Sequence, residues 1–139
     1  MILRLVLSIA AFLALAGCGS EQYPDACYDQ YGLTHRAGNA DDCPVPRETK
    51  EAVGYLAEQL EVDPGWWAGH DVVYISEPYF DYGPGLAVGI AYLYDRMIVI
   101  AKTDYGPAIL RHELLHVYFF HTEGDPDYWH VSPLWALVN

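Results

Sequence analysis

The stretch His112-Glu113-Leu114-Leu115-His116 decides how the chain is read. Side chains four residues apart on an α-helix stand one above the other on one face, about 6 Å apart along the axis, so two imidazoles at this spacing can share one metal ion. Glu113 follows His112 directly, where its carboxylate can take a proton from a metal-bound water and leave both ligand positions to the metal. The flanks read as helix. Ala108-Ile109-Leu110 precede the motif and Val117-Tyr118-Phe119-Phe120 follow it, apolar on nearly every side, which is the pattern of a helix buried in a core. Burying His112, Glu113 and His116 is costly unless they are paired or bind a metal. Two core histidines satisfied by carbonyls, beside a surface glutamate, is the plainer alternative.

Catalytic zinc sites usually offer three protein side chains and keep a fourth position for water, so a third ligand is sought downstream. His121, Glu123, Asp125, Asp127 and His130 are the candidates. At about 100° per residue, His121 falls on the face opposite His112, and Glu123 lies on the order of 10 Å along the axis beyond His116. Gly124 ends the helix, and Gly-Asp-Pro-Asp at 124–127 reverses the chain. Six or seven extended residues span on the order of 20 Å, enough to bring His130 or Asp127 back over the motif. His130 ranks first, because neutral imidazole is the better zinc ligand beside two other histidines; Asp127 is the alternative third ligand.

On His112, Glu113 and His116 the chain resembles the zincin superfamily of metallopeptidases, over roughly residues 46–139. The hairpin before the motif and the segment from Gly124 to His130 are softer support. The resemblance implies an α+β fold: a zincin-like minimal domain with an N-terminal helix, a small antiparallel or mixed sheet with a hairpin, and then the active-site helix. It also implies Zn2+ as cofactor, a peptide or protein as substrate, and Glu113 as the general base. A tyrosine or histidine is expected to donate to the oxyanion, with Tyr128 and Tyr105 as candidates. The chain departs from the metzincins, with Phe119 and Thr122 where those enzymes carry a glycine and a third histidine. It departs from the gluzincins, since Glu123 is the last glutamate. Aspzincins use a downstream aspartate, which keeps Asp127 open. A noncatalytic envelope lipoprotein, with a structural zinc or a partner-binding role, is the other reading.

Residues 1–17 carry Arg4, an apolar run from Leu5 to Leu15 and the small pair Ala16-Gly17, the composition of a secretory signal. Leu15-Ala16-Gly17-Cys18 resembles the bacterial lipobox, which implies cleavage before Cys18, lipidation of that cysteine and anchorage to the membrane of the cell envelope. With Gly19 after the cysteine, the expected destination is the outer membrane if the host has one. Cys27 and Cys43 then remain as a pair, and a disulfide is the economical reading in an oxidising compartment.

The chain carries 19 acidic residues against 7 basic ones, a formal charge of −12. Removing residues 1–17, whose one charge is Arg4, makes it more negative still, so nucleic acid is not an expected partner. The mature length fits one domain. Residues 18–45 read as anchor, tether and an irregular disulfide-pinned segment, and 46–139 as the folded domain. Within it, a first helix is expected from Pro46 to Val62 with Thr49 as its cap. Trp66 and Trp67 are expected to pack in the core. Strands follow at Val72–Ser76, Leu86–Tyr94 and Met97–Ala101, the last two joined by a turn at Asp95-Arg96. Part of that hairpin is the candidate shelf for an extended substrate.

Overall fold

The computed structural model describes residues 27–36, 46–81, 85–101 and 106–138. The signal segment, the anchor at Cys18, Tyr105 and Cys43 lie outside the described residues, and so therefore does the expected pairing of Cys43 with Cys27. Among the described residues no helix is long and apolar enough to cross a membrane.

The fold is α+β. Its centre is a five-stranded mixed sheet assembled from β1 (Cys27–Tyr28), β2 (Thr34–Arg36), β3 (Asp71–Ile75), β6 (Gly89–Tyr92) and β7 (Met97–Ala101), in the order β1-β2-β3-β7-β6. A separate small ribbon pairs β4 (Phe80–Asp81) with β5 (Leu86–Ala87). β3 and β7 are runs of β-branched and apolar residues, Val72-Val73-Tyr74 and Ile98-Val99-Ile100, that pair in parallel with Val73 opposite Val99. Strands buried on both faces read as such continuous runs. β6 pairs antiparallel with β7, Ala91 opposite Ile98, and forms the edge of the sheet.

Residues 27–36, expected as irregular tether, instead supply two strands of this sheet: β2 runs parallel to β3, with His35 opposite Val72. The strands are too short to show alternation, and their pairing is fixed by a buried polar network. His35 Nε2 donates to Asp29 Oδ2 at 2.8 Å, and His35 Nδ1 meets the Tyr74 hydroxyl at 2.8 Å. The Asp29 carboxylate also accepts from the Tyr31 and Leu33 amides, closing the β1–β2 turn. Every polar group in this buried set has a partner, as a buried network requires.

The first helix comes in three consecutive segments: α1 (Pro46–Thr49), a π-helical stretch (Lys50–Gly54) and α2 (Tyr55–Leu60). Thr49 is not its cap. It lies inside the helix, and its hydroxyl donates back to the Pro46 carbonyl at 3.1 Å, a local bond that threonine makes in place of capping. The helix stops two residues before Val62, where Glu61 turns left-handed at φ 55°. Ala52, Val53, Leu56 and Ala57 face inward as the spacing predicts. The expected strand over 86–94 is broken between Ala87 and Gly89, and Tyr92 is its last paired residue.

The helix α3 (Pro107–Glu123) carries the motif. Pro107 opens it, where a missing amide hydrogen is no loss. Gly124 closes it left-handed at φ 77°, its amide bonded to the Phe120 carbonyl at 3.0 Å. Leu110, Leu114, Leu115, Val117 and Phe119 are buried, and Trp67, also buried, donates through Nε1 to the Leu114 carbonyl at 3.0 Å. α3 also packs against the edge strand β6.

Candidate metal centre

His112 and His116 stand one turn apart on α3, with ring centres 5.0 Å apart. Beyond Gly124 the chain doubles back and sets the His130 ring 4.8 Å from His112 and 5.2 Å from His116. One nitrogen from each of these imidazoles lies within 4.8 Å of the others, the spacing at which three histidines can hold one metal ion. The sequence-based choice of His130 as third member of the cluster agrees with this geometry. His121 points away, against Trp66 and His70, as its position round the helix requires.

The return loop is built to place His130. Asp127 and His130 both sit in the left-handed region, at φ 49° and 53°, which costs an L-residue roughly 1 kcal/mol each. The Asp127 carboxylate holds the loop in that shape. It accepts from the amides of Val131 at 3.0 Å and Ser132 at 2.8 Å, and from Trp135 Nε1 at 2.8 Å. Asp127 therefore does not join the histidine cluster as the alternative third ligand; it clamps the loop that carries His130. Those hydrogen bonds, from Val131 and Ser132 first, hold its carboxyl below the usual value.

Trp135, anchored by that bond, forms the back wall of the site. Its ring lies 4.1 Å from His130, 4.6 Å from His116 and 4.9 Å from His112. The loop also fixes a tautomer. His116 Nδ1 lies 2.7 Å from the Pro126 carbonyl, which can only accept, so Nδ1 carries the proton and the Nε2 lone pair is left for a metal. Burial, and then the neighbouring His116 and His130, hold His112 down to about 4; burial also lowers His116. His112 and His116 are thus in the neutral, ligating form at neutral pH.

Glu113 is 5% exposed and faces the inner side of β6, where the Ala91 amide donates to its carboxylate. Burial pushes its pKa up to about 8 against that hydrogen bond. A cation in the site would favour the ionised form again. Between β6 and α3 opens a cleft of about 570 Å³. Gly89, Ile90 and Ala91 form one wall, the histidines and Glu113 the floor, and Tyr128 and Trp129 the opposite rim. Trp129 is 90% exposed and Tyr128 57%. The Tyr128 ring stands 5.3 Å from His116, and its hydroxyl is held protonated by partial burial and by the nearby Glu113.

Of the sequence candidates, the structure brings together His112, Glu113, His116, His130 and Tyr128. Trp135, Pro126, Gly89 and Ala91 were not legible as site residues. Pro126 and Ala91 act through backbone groups, and Trp135 reads in sequence only as part of an apolar C-terminal stretch.

Comparison with family profiles, with curated proteins and with solved structures gives no match for this chain.

Two outcomes follow from the loop and from the buried carboxylate. Asp127→Ala should weaken zinc binding about 10- to 100-fold, the usual effect of removing a group that orients a ligand, as measured by competition with a chromophoric chelator. Unchanged affinity would show that the loop keeps its shape without the clamp. In metal-free protein, Glu113 stays protonated when folded up to about 8 but ionises near 4.5 when unfolded. Its contribution to stability is therefore present below about 4.5 and lost as pH rises through about 8. The lowered histidines act in the opposite sense below about 6.5, so the readout is the difference between proteins. In urea unfolding of metal-free protein, wild type should lose stability relative to Glu113→Gln as pH rises from about 4.5 to about 8, and a constant difference would place the carboxyl in water.

Proposed function

We propose that the chain is a zinc-dependent hydrolase of the metallopeptidase type, with Glu113 as general base, anchored to the bacterial cell envelope through lipid on Cys18. The observation that carries this reading is the convergence of His112, His116 and His130 beside Glu113, on the floor of an open cleft walled by the edge strand of the sheet. The donor set fits zinc: three imidazoles, one with its tautomer fixed by a carbonyl, and no fourth side-chain ligand in the cluster among the described residues. Held by these residues, zinc would supply Lewis acidity toward a carbonyl and activate a water for attack.

The residues of the chain supply the rest. The Glu113 carboxylate accepts the proton of the attacking water and returns it to the leaving nitrogen, a role suited to a buried group kept close to neutral pH. Tyr128, protonated and on the rim, donates to the oxygen on which charge develops. β6 offers the outward backbone groups that Glu113 does not take to a substrate in extended form, as edge strands do for peptides. A structural ion, as in a noncatalytic lipoprotein, is the second reading. A structural site is usually closed by a fourth ligand, whereas this cluster faces a cleft, which favours catalysis.

The test is cleavage of an unfolded protein substrate by the zinc-loaded full-length chain, with products identified by mass spectrometry. Cleavage that stops on chelation and returns with zinc supports the proposal. A folded, zinc-loaded protein that cleaves no peptide or protein substrate contradicts it.

A further inference from the structure

Gly89 opens β6, and a glycine in a strand often marks a place where another group approaches closely. Its backbone is not in the left-handed region; among the described glycines that conformation belongs to Gly32, Gly69 and Gly124. The reason for glycine here is a close approach. An ideal Cβ built on Gly89 would lie 2.5 Å from Glu113 Oε1 and 3.0 Å from Glu113 Cδ, with Ile109 Cγ2 also at 3.0 Å. No Cβ tolerates a carboxylate oxygen at 2.5 Å. Two residues along the same face of the strand, the Ala91 amide donates to that carboxylate. The seat of Glu113 is thus made of one backbone amide and one missing side chain.

We infer that Gly89 is the positioning residue of the site: the absence of its side chain lets the Glu113 carboxylate reach the Ala91 amide and so aims it into the cleft beside the three histidines. This rests on the reading of Glu113 as the general base, but the placement itself can be observed without any activity. A methyl at residue 89 meets the end of a flexible side chain and not backbone, so the carboxylate gives way and the strand need not. The three atoms nearest a Cβ at residue 89 belong to Glu113 and Ile109 and none to a histidine, so the substitution strikes the base before the metal ligands.

The experiment uses full-length, zinc-loaded protein labelled with 15N-alanine. In Gly89→Ala, the Ala91 amide resonance should move to the position it takes in Glu113→Ala, because both variants remove its carboxylate partner. Zinc affinity should stay within about twofold of wild type. Gly85→Ala is the control, since nothing lies within 4 Å of a Cβ there, and it should leave the Ala91 resonance where it is. A second variant separates the two close contacts: Ile109→Ala with Gly89→Ala relieves the aliphatic crowding and leaves the carboxylate clash, so the Ala91 resonance should remain displaced. Against an unfolded protein substrate, Gly89→Ala should lower kcat on the order of 10²-fold, the lower end for loss of a placed general base, with KM unchanged.

An Ala91 resonance unmoved in Gly89→Ala, or restored by Ile109→Ala, overturns the inference. So does a Gly89→Ala protein that cleaves at the wild-type rate. If wild type cleaves nothing while the Ala91 resonance moves as described, the hydrolase reading fails and the seat of Glu113 stands.

Discussion

Glu113→Gln is expected to lower hydrolysis by between about 10² and 10⁴-fold while leaving zinc content at one per chain. Glutamine keeps the length and shape of the side chain, and its amide oxygen can still accept from the Ala91 amide, so the seat against β6 is preserved. What it lacks is the capacity to take a proton. The two histidines on either side of it in the motif lie on the metal face and need nothing from the carboxylate, so affinity for zinc should hold. This separation is the signature of a base, as distinct from a ligand. Activity within about tenfold of wild type would mean that another group moves the proton. A loss of zinc together with activity would mean that Glu113 supports the metal site and that its chemistry has been misread.

The second large effect is expected at His130. Zinc that binds only the folded chain stabilises it by about 4 kcal/mol when its free concentration is 1,000 times the dissociation constant. Zinc binding by small protein sites is worth on the order of 10–16 kcal/mol, so one ligand in four carries about 3 kcal/mol, on the order of a hundredfold in affinity. His130→Ala should therefore cut the stabilisation at the same zinc concentration to about 1.4 kcal/mol, read as a smaller rise in Tm on zinc addition. The metal-free Tm should change little, because His130 lies at the exposed surface of its loop. Alanine keeps a Cβ at this left-handed position, φ 53° with histidine, so the substitution leaves the backbone strain as it was. A zinc-dependent rise equal to wild type would exclude His130 from the ligand set. A large fall in the metal-free Tm would show instead that its packing on Trp135 is structural.

The parts of this site that were legible in sequence are those governed by local geometry. The spacing of His112 and His116 follows from the helix alone, and so does the exclusion of His121, which does lie among Trp66 and His70 on the far side. The reversal at Gly124 was legible from its glycine and proline, and the length of the following segment sufficed to bring His130 back. What was not legible depends on pairing between distant segments. β1 and β2 are two and three residues long, and the polar set Asp29, His35 and Tyr74 that locks them to β3 carries no periodic signal. Asp127 invited a metal reading because carboxylates ligate metals. Its actual partners are two amides and the indole of Trp135, which are invisible until the loop has folded. Gly89 read as an ordinary residue of a strand, since the reason for it lies on another element. Thr49 matched the residue preference for a cap, yet the helix begins earlier, at Pro46.

If the proposed anchor at Cys18 holds, the cleft works at the envelope surface, where a substrate would be presented as an exposed, extended segment. The cleft suits that form, since its strand wall of Gly89, Ile90 and Ala91 carries no charge.

The measurement that bears most directly on the central claim is zinc-edge X-ray absorption of the full-length, zinc-loaded protein, with His112→Ala and His130→Ala beside it. The expected environment is three imidazole nitrogens at about 2.0 Å with one further oxygen, falling to two imidazoles in either variant. A sulfur ligand at about 2.3 Å, or fewer than three imidazoles in wild type, would contradict a metal centre built from His112, His116 and His130.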